Sequence, residues 1–145
     1  MVDQILLERI LSDIHSNVRE LEDASDITWE KYQSDMRSRR FVERTLHILI
    51  EACLDAAQHI ISDRKMREPA TYRDTFTILA ENRILEPDDL KKFHPMASFR
   101  NLLLHYYERV DDAVVYDIFK RNLPDFKLFA DRISAYLKKQ GENYV

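Results

Sequence analysis

Glycine is nearly missing from this chain: Gly141, close to the C-terminal end, is the only one in 145 residues. A β-rich fold of this length needs several tight turns with positive φ, which glycine usually supplies. Alternating Val, Ile and Thr runs between turn signals are also lacking, so the chain reads as all-α. Cysteine is equally scarce. Cys53 stands alone, which excludes an intrachain disulfide, and its place in an apolar helical run marks a buried core thiol suited to a reducing, cytoplasmic setting. No apolar run approaches the roughly 20 residues needed to cross a bilayer. Asp3 and Glu8 fall too early for a signal peptide, so a soluble chain without membrane association is expected.

An excess of basic charge is lacking as well. With 22 basic and 26 acidic residues the net charge is −4, which argues against general nucleic-acid binding. A nucleic-acid substrate would need a local basic cleft or help from a partner. There is no nucleophile-elbow pattern, no phosphate-cradling glycine loop and no CxxC, and those chemistries are set aside.

What is present is helical periodicity in a single domain spanning residues 1–145, long enough to bury roughly two thirds of its unfolded surface. Ile5, Leu6, Ile10, Leu11, Ile14, Val18 and Leu21 keep a 3.6-residue period and predict a first helix from about Val2 to Leu21. Thr28, Trp29 and Tyr32 begin either a short helical turn or the lead-in to a long helix reaching about Ser62. Thr71 and Asp74 approximate a capping box for a helix ending near Asn82. Glu86-Pro87-Asp88-Asp89 starts another, which Pro95 is expected to interrupt or restart. Asp111 or Asp112 caps a helix to about Asn122, and Pro124 opens a last one that should stop at Gln140-Gly141. The expected architecture is an antiparallel four- to five-helix bundle with short extra helices.

One segment carries chemistry: Phe99-Arg100-Asn101-Leu102-Leu103-Leu104-His105-Tyr106-Tyr107. Imidazole titrates near neutrality and can move the proton of a 2′-hydroxyl, while guanidinium grips a phosphate through two hydrogen bonds. Residues five apart on a helix are rotated by about 140°, so Arg100 and His105 do not share one face. Asn101 and His105 do share one, and Arg100 and Tyr107 roughly align. Convergence of Arg100 and His105 requires that the helix fray or end near His105, that the arginine bend around, or that a symmetric dimer join two copies. The dimer also supplies a second histidine, since transesterification needs both a base and an acid.

The segment resembles the R-x4-H-x-Y motif of the HepT toxins, a branch of the HEPN superfamily of small helical ribonucleases. Chain length, helical layout and the long helix with Glu51 and Asp55 extend the likeness over nearly the whole chain. The resemblance implies a HEPN-like bundle and a metal-independent endoribonuclease toxin without cofactor. It implies His105 as acid/base, Arg100 on the scissile phosphate and Asn101 in support. It further implies a homodimer with the active cleft at its seam, an RNA substrate and a nucleotidyltransferase antitoxin that attaches AMP to Tyr107. Neighbouring Tyr106 leaves open which hydroxyl accepts it.

Other groups compete for attention. Glu43, His47, Glu51, Asp55 and His59 step along one helix four residues at a time and invite a metal reading. Each step drifts about 40°, however, which favours i,i+4 pairs or a polar stripe, or else Glu51 and Asp55 facing Arg100. Arg37, Arg39 and Arg40 form the densest basic cluster, either a solvated face or a contact for RNA or partner. The alternative functions are a non-catalytic nucleotide- or partner-binding subunit of a minimal nucleotidyltransferase, and a structural helical dimer.

Overall fold

A computed structural model describes residues 3–104 and 111–142. Its elements are α1 (Gln4–Asp23), α2 (Trp29–Ser34), α3 (Met36–Asp63), α4 (Tyr72–Glu81), a 3-10 turn (Pro87–Asp89), α5 (Leu90–Leu104), α6 (Asp112–Arg121) and α7 (Leu123–Glu142). Among the described residues there is no strand, and no helix is long and apolar enough to cross a membrane.

Short polar side chains start the helices. Asp3 accepts from the Leu6 amide, Thr28 from Lys31, Asp35 from Arg37, Thr71 from Asp74 and Asp111 from Ala113, each satisfying an amide that has no partner inside its helix. Asp35 also separates α2 from α3, so Trp29–Ser34 is a short helix of its own and not a lead-in. At the other end, helices must stop without glycine. Lys65 (φ 52°) and Arg83 (φ 62°) take the left-handed conformation just after α3 and α4. The Met66 amide then bonds back to the Ile61 carbonyl at 3.0 Å, and the Ile84 amide to Leu79 at 2.9 Å, the six-to-one closure of a Schellman motif.

Two expectations require correction. Pro95 does not interrupt the chain; it lies within continuous α5. Proline removes a single amide donor, and here Phe93, Met96, Ala97 and Phe99 around it are all buried, so packing holds the helix through the defect. Gly141 does not stop α7 either, because that helix reaches Glu142 and no glycine has positive φ. A Cβ there would meet nothing within 4 Å, so neither conformation nor crowding calls for glycine at this position.

Helix α3 is the hub, packed against α1, α2, α4, α5, α6 and α7. Its residues Val42, Leu46, Leu49, Ile50, Cys53, Ala57 and Ile60 are fully buried. Phe76 of α4, Phe93 of α5 and Phe129 of α7 form a triangle with ring centroids 5.6–5.9 Å apart, fixing the first turn of α5 against α4 and α7. Burial of Cys53 pushes its thiol far above the usual range, so the cysteine is inert packing.

Candidate active site

The register of α5 fixes what Arg100 meets. Phe99 goes into the core, Asn101 is exposed, and Arg100 lies between them against α3 and the start of α4. Its Nε–H donates to Glu51 Oε1 at 2.5 Å. Its guanidinium carbon sits 4.1 Å from the ring centroid of Tyr72, a cation–π contact on the face while Glu51 holds the edge. Side-chain exposure is 17% for Arg100 and 42% for Glu51, so the cation is more enclosed than its partner. Only one of the five guanidinium donors is spent on Glu51, and the terminal nitrogens are the edge that grips a phosphate bidentately.

Glu51 is shared. One turn earlier on α3, His47 Nε2 lies 3.5 Å from the same Oε1, an ion-pair distance without hydrogen-bond alignment, and among the described residues this buried nitrogen makes no hydrogen bond. The other ring nitrogen of His47 is 3.3 Å from Arg44. Asp55, a turn later, pairs with His59 at 3.4 Å and does not reach Arg100. Glu43 instead accepts from the buried Tyr32 hydroxyl at 3.4 Å, and burial raises its carboxyl above the ordinary range. The histidine–carboxylate ladder therefore divides into local pairs. No three His, Cys, Asp or Glu side chains among the described residues gather around a common point.

A cleft of about 410 Å³ runs along this part of α3, with Asp13 of α1 on one side and Tyr72 on the other. Arg44, His47, Glu51 and Asp55 line it. Arg37, Arg39 and Arg40 do not. Arg39 is tied to the backbone oxygens of Gln33 and Tyr32 at 3.0 and 3.5 Å, while Arg37 and Arg40 are exposed. His105, Tyr106 and Tyr107 lie outside the described residues. Asp13, Arg44 and Tyr72 are contributors that sequence reasoning missed. Tyr72 directly follows a helix cap and looked like any surface residue, although Arg44 had a signal in its three-residue spacing from His47.

A family model for HepT-like ribonucleases matches residues 14–133, a span holding Glu51, Tyr72, Arg100, His105 and Tyr107. The chain belongs to the HepT-like ribonuclease family. Within it, this chain is 26% identical over 136 residues to the tRNA nuclease HepT of Aphanizomenon flos-aquae, covering 94% of this chain and 92% of that one. It is 33% identical over 108 residues to the mRNA nuclease HepT of Shewanella oneidensis, covering 72% and 79% respectively. The HepT-like fold is equally plain in three dimensions. The structure of a tri-AMPylated Shewanella oneidensis HEPN toxin in complex with its MNT antitoxin superposes with a TM-score of 0.81 at 25% identity, over 93% of this chain and 99% of that one.

Proposed function

We propose that this HepT-like chain is a metal-independent endoribonuclease, the toxin of a pair whose antitoxin is a nucleotidyltransferase that attaches AMP to Tyr107. The observation that carries the reading is the state of Arg100. It is an enclosed cation, fixed at its edge by Glu51 and at its face by Tyr72, beside a cleft, in a chain whose family is ribonucleolytic.

The chemistry is a transesterification. The ribose 2′-oxygen attacks the adjacent phosphorus as a base removes its proton, a P–O bond forms, and the bond to the 5′-oxygen breaks as an acid protonates the leaving oxygen. The products are a 2′,3′-cyclic phosphate and a free 5′-hydroxyl. Arg100 stabilises the additional negative charge on the phosphorane, a role that rewards a guanidinium positioned beforehand. His105 moves the protons, and Asn101 supports it. Because the motif holds one histidine per chain, a homodimer with its active cleft at the seam supplies both acid and base. AMP on Tyr107 places a bulky anion in the motif and blocks RNA by charge and size.

Purified protein should cleave RNA in EDTA and leave cyclic phosphate ends, with the activity lost in His105→Ala. Cleavage surviving that substitution would exclude the assignment. Complete inactivity joined to a stable complex with the nucleotidyltransferase would favour the non-catalytic subunit. The seam is tested by mixing wild-type protein with an excess of His105→Ala protein: mixed dimers hold a single histidine and lose activity if acid and base come from two chains, and keep half of the dimer's activity if each chain builds its own site.

A further inference from the structure

We propose that the cleft beside Arg100 is a nucleobase subsite, seating a base next to the scissile phosphate and preferring bases that carry an exocyclic amine over uracil. The inference rests on the ribonuclease reading above and adds to it what the enzyme reads.

Position comes first. Glu51 and Tyr72 both touch Arg100 and both line the cleft, so a phosphate held by Arg100 puts the neighbouring nucleotide at its mouth. A volume of about 410 Å³ accommodates a base with its ribose. Tyr72 supplies an aromatic wall. Arg100 occupies one face of its ring, and stacking of a base on an exposed tyrosine is sequence-tolerant and worth a large part of single-strand affinity.

The charge of the lining decides which part of the nucleotide enters. Arg44 is the one fixed cation of the lining; with Glu51 committed to Arg100, the carboxylates of Asp13 and Asp55 still outnumber it. A phosphate would be repelled from such a wall. A neutral base with amine hydrogens would be drawn to it, because carboxylates accept hydrogen bonds and donate none. Adenine, cytosine and guanine each carry an exocyclic amine, whereas uracil does not. His47 adds a second signal: its buried Nε2 has no hydrogen-bond partner among the described residues, and buried nitrogens are ordinarily satisfied. A base edge in the cleft provides that partner. This also resolves how a protein of net charge −4 engages RNA. The backbone is gripped locally at Arg100, and the acidic cleft selects bases.

The test separates binding from cleavage. Short fluorescent oligonucleotides of A, C, G or U, fully 2′-O-methylated so that the attacking hydroxyl is blocked, are titrated against the intact protein by fluorescence anisotropy. The amine-bearing sequences should bind about tenfold or more tightly than oligo-U, a charge-assisted hydrogen bond's worth of discrimination. Asp55→Asn and Tyr72→Ala change exposed side chains that do not hold up the core. The first should shrink the preference with little loss of oligo-U binding, and the second should weaken all four sequences. Equal binding of all four by the wild type overturns the subsite, as does a preference that survives Asp55→Asn unchanged. Cleavage of the unmethylated oligonucleotides is scored separately: binding preference without cleavage defeats the ribonuclease reading and leaves the subsite, and cleavage without preference does the reverse.

Discussion

The Arg100–Glu51 pair can be measured by itself. Two unit charges about 4 Å apart attract by about 4 kcal/mol at an effective dielectric of about 20. Exposed pairs retain about 0.2–1 kcal/mol of this, and breaking a fully buried pair costs about 3–5 kcal/mol. With 17% exposure on the arginine and 42% on the glutamate, this pair falls between those limits. A coupling energy of about 1–2 kcal/mol is expected from a double-mutant cycle of Glu51→Ala, Arg100→Ala and the double variant, with His47 and Tyr72 intact at every corner. Urea unfolding at fixed ionic strength gives the four stabilities. Glu51→Ala alone should lower Tm by about 3–6 °C for a domain of this size. It should also reduce kcat for RNA cleavage by about tenfold or more with a smaller change in KM, since a loosened Arg100 loses transition-state contact before ground-state affinity. A coupling energy below about 0.3 kcal/mol, within the scatter of additivity, would refute the claim that Glu51 organises the site.

Three further outcomes follow from the packing and charge. Arg67 grips Asp74 at 2.7 Å through two nitrogens, and this, with the Ala70 amide, lowers the Asp74 carboxyl to about 2. A depressed carboxylate stabilises the fold above its unfolded value and loses that contribution as pH falls through the folded one, so the stability gap between wild type and Asp74→Asn should close between about pH 4 and pH 2 in acid titrations followed by circular dichroism. Lys65→Gly and Arg83→Gly relieve left-handed strain of about 1–2 kcal/mol each against a glycine entropy cost of about 0.5–1 kcal/mol, and each should raise stability slightly in urea melts. Phe129→Ala removes the apex of the aromatic triangle and should cost about 3–5 kcal/mol in the same measurement, without a change in the cleft's base preference.

Much of the fold was legible because its signals are local. The cap at Thr71 and the periodic apolar positions of α1 from Ile10 to Leu21 need only a few residues to specify them and appear where the pattern puts them, whereas in the first turn of α1 Leu7 is buried and Ile5 faces outward. Pro95 was misread because the proline rule concerns an isolated helix. Inside the bundle, burial of Phe93, Met96, Ala97 and Phe99 outweighs one missing amide bond. Gly141 was misread because the stop signal needs a positive φ, and Gly141 keeps the helix going to Glu142 without one. The true stops, at Lys65 and Arg83, were invisible because nothing in a basic side chain announces a left-handed residue.

At the site, the sequence named Arg100 and raised Glu51 and Asp55 as its partners but left open whether they face it or form i,i+4 pairs on a polar stripe. The answer depends on the α3–α5 register, a tertiary quantity set by Phe93 and Phe99 packing into the core, and no spacing within either helix contains it. Tyr72 was missed on the same ground: its contact with Arg100 joins residues from the start of one helix and the last turns of the next. The five-residue offset between Arg100 and His105 acquires a sharper meaning here. Arg100 is turned toward α3 and the start of α4 and held by one contact on each, so a route in which the arginine swings around its own helix would require giving up both Glu51 and Tyr72. A second chain demands no such sacrifice, and this is why mixing wild-type with His105→Ala protein bears most directly on how the site is assembled.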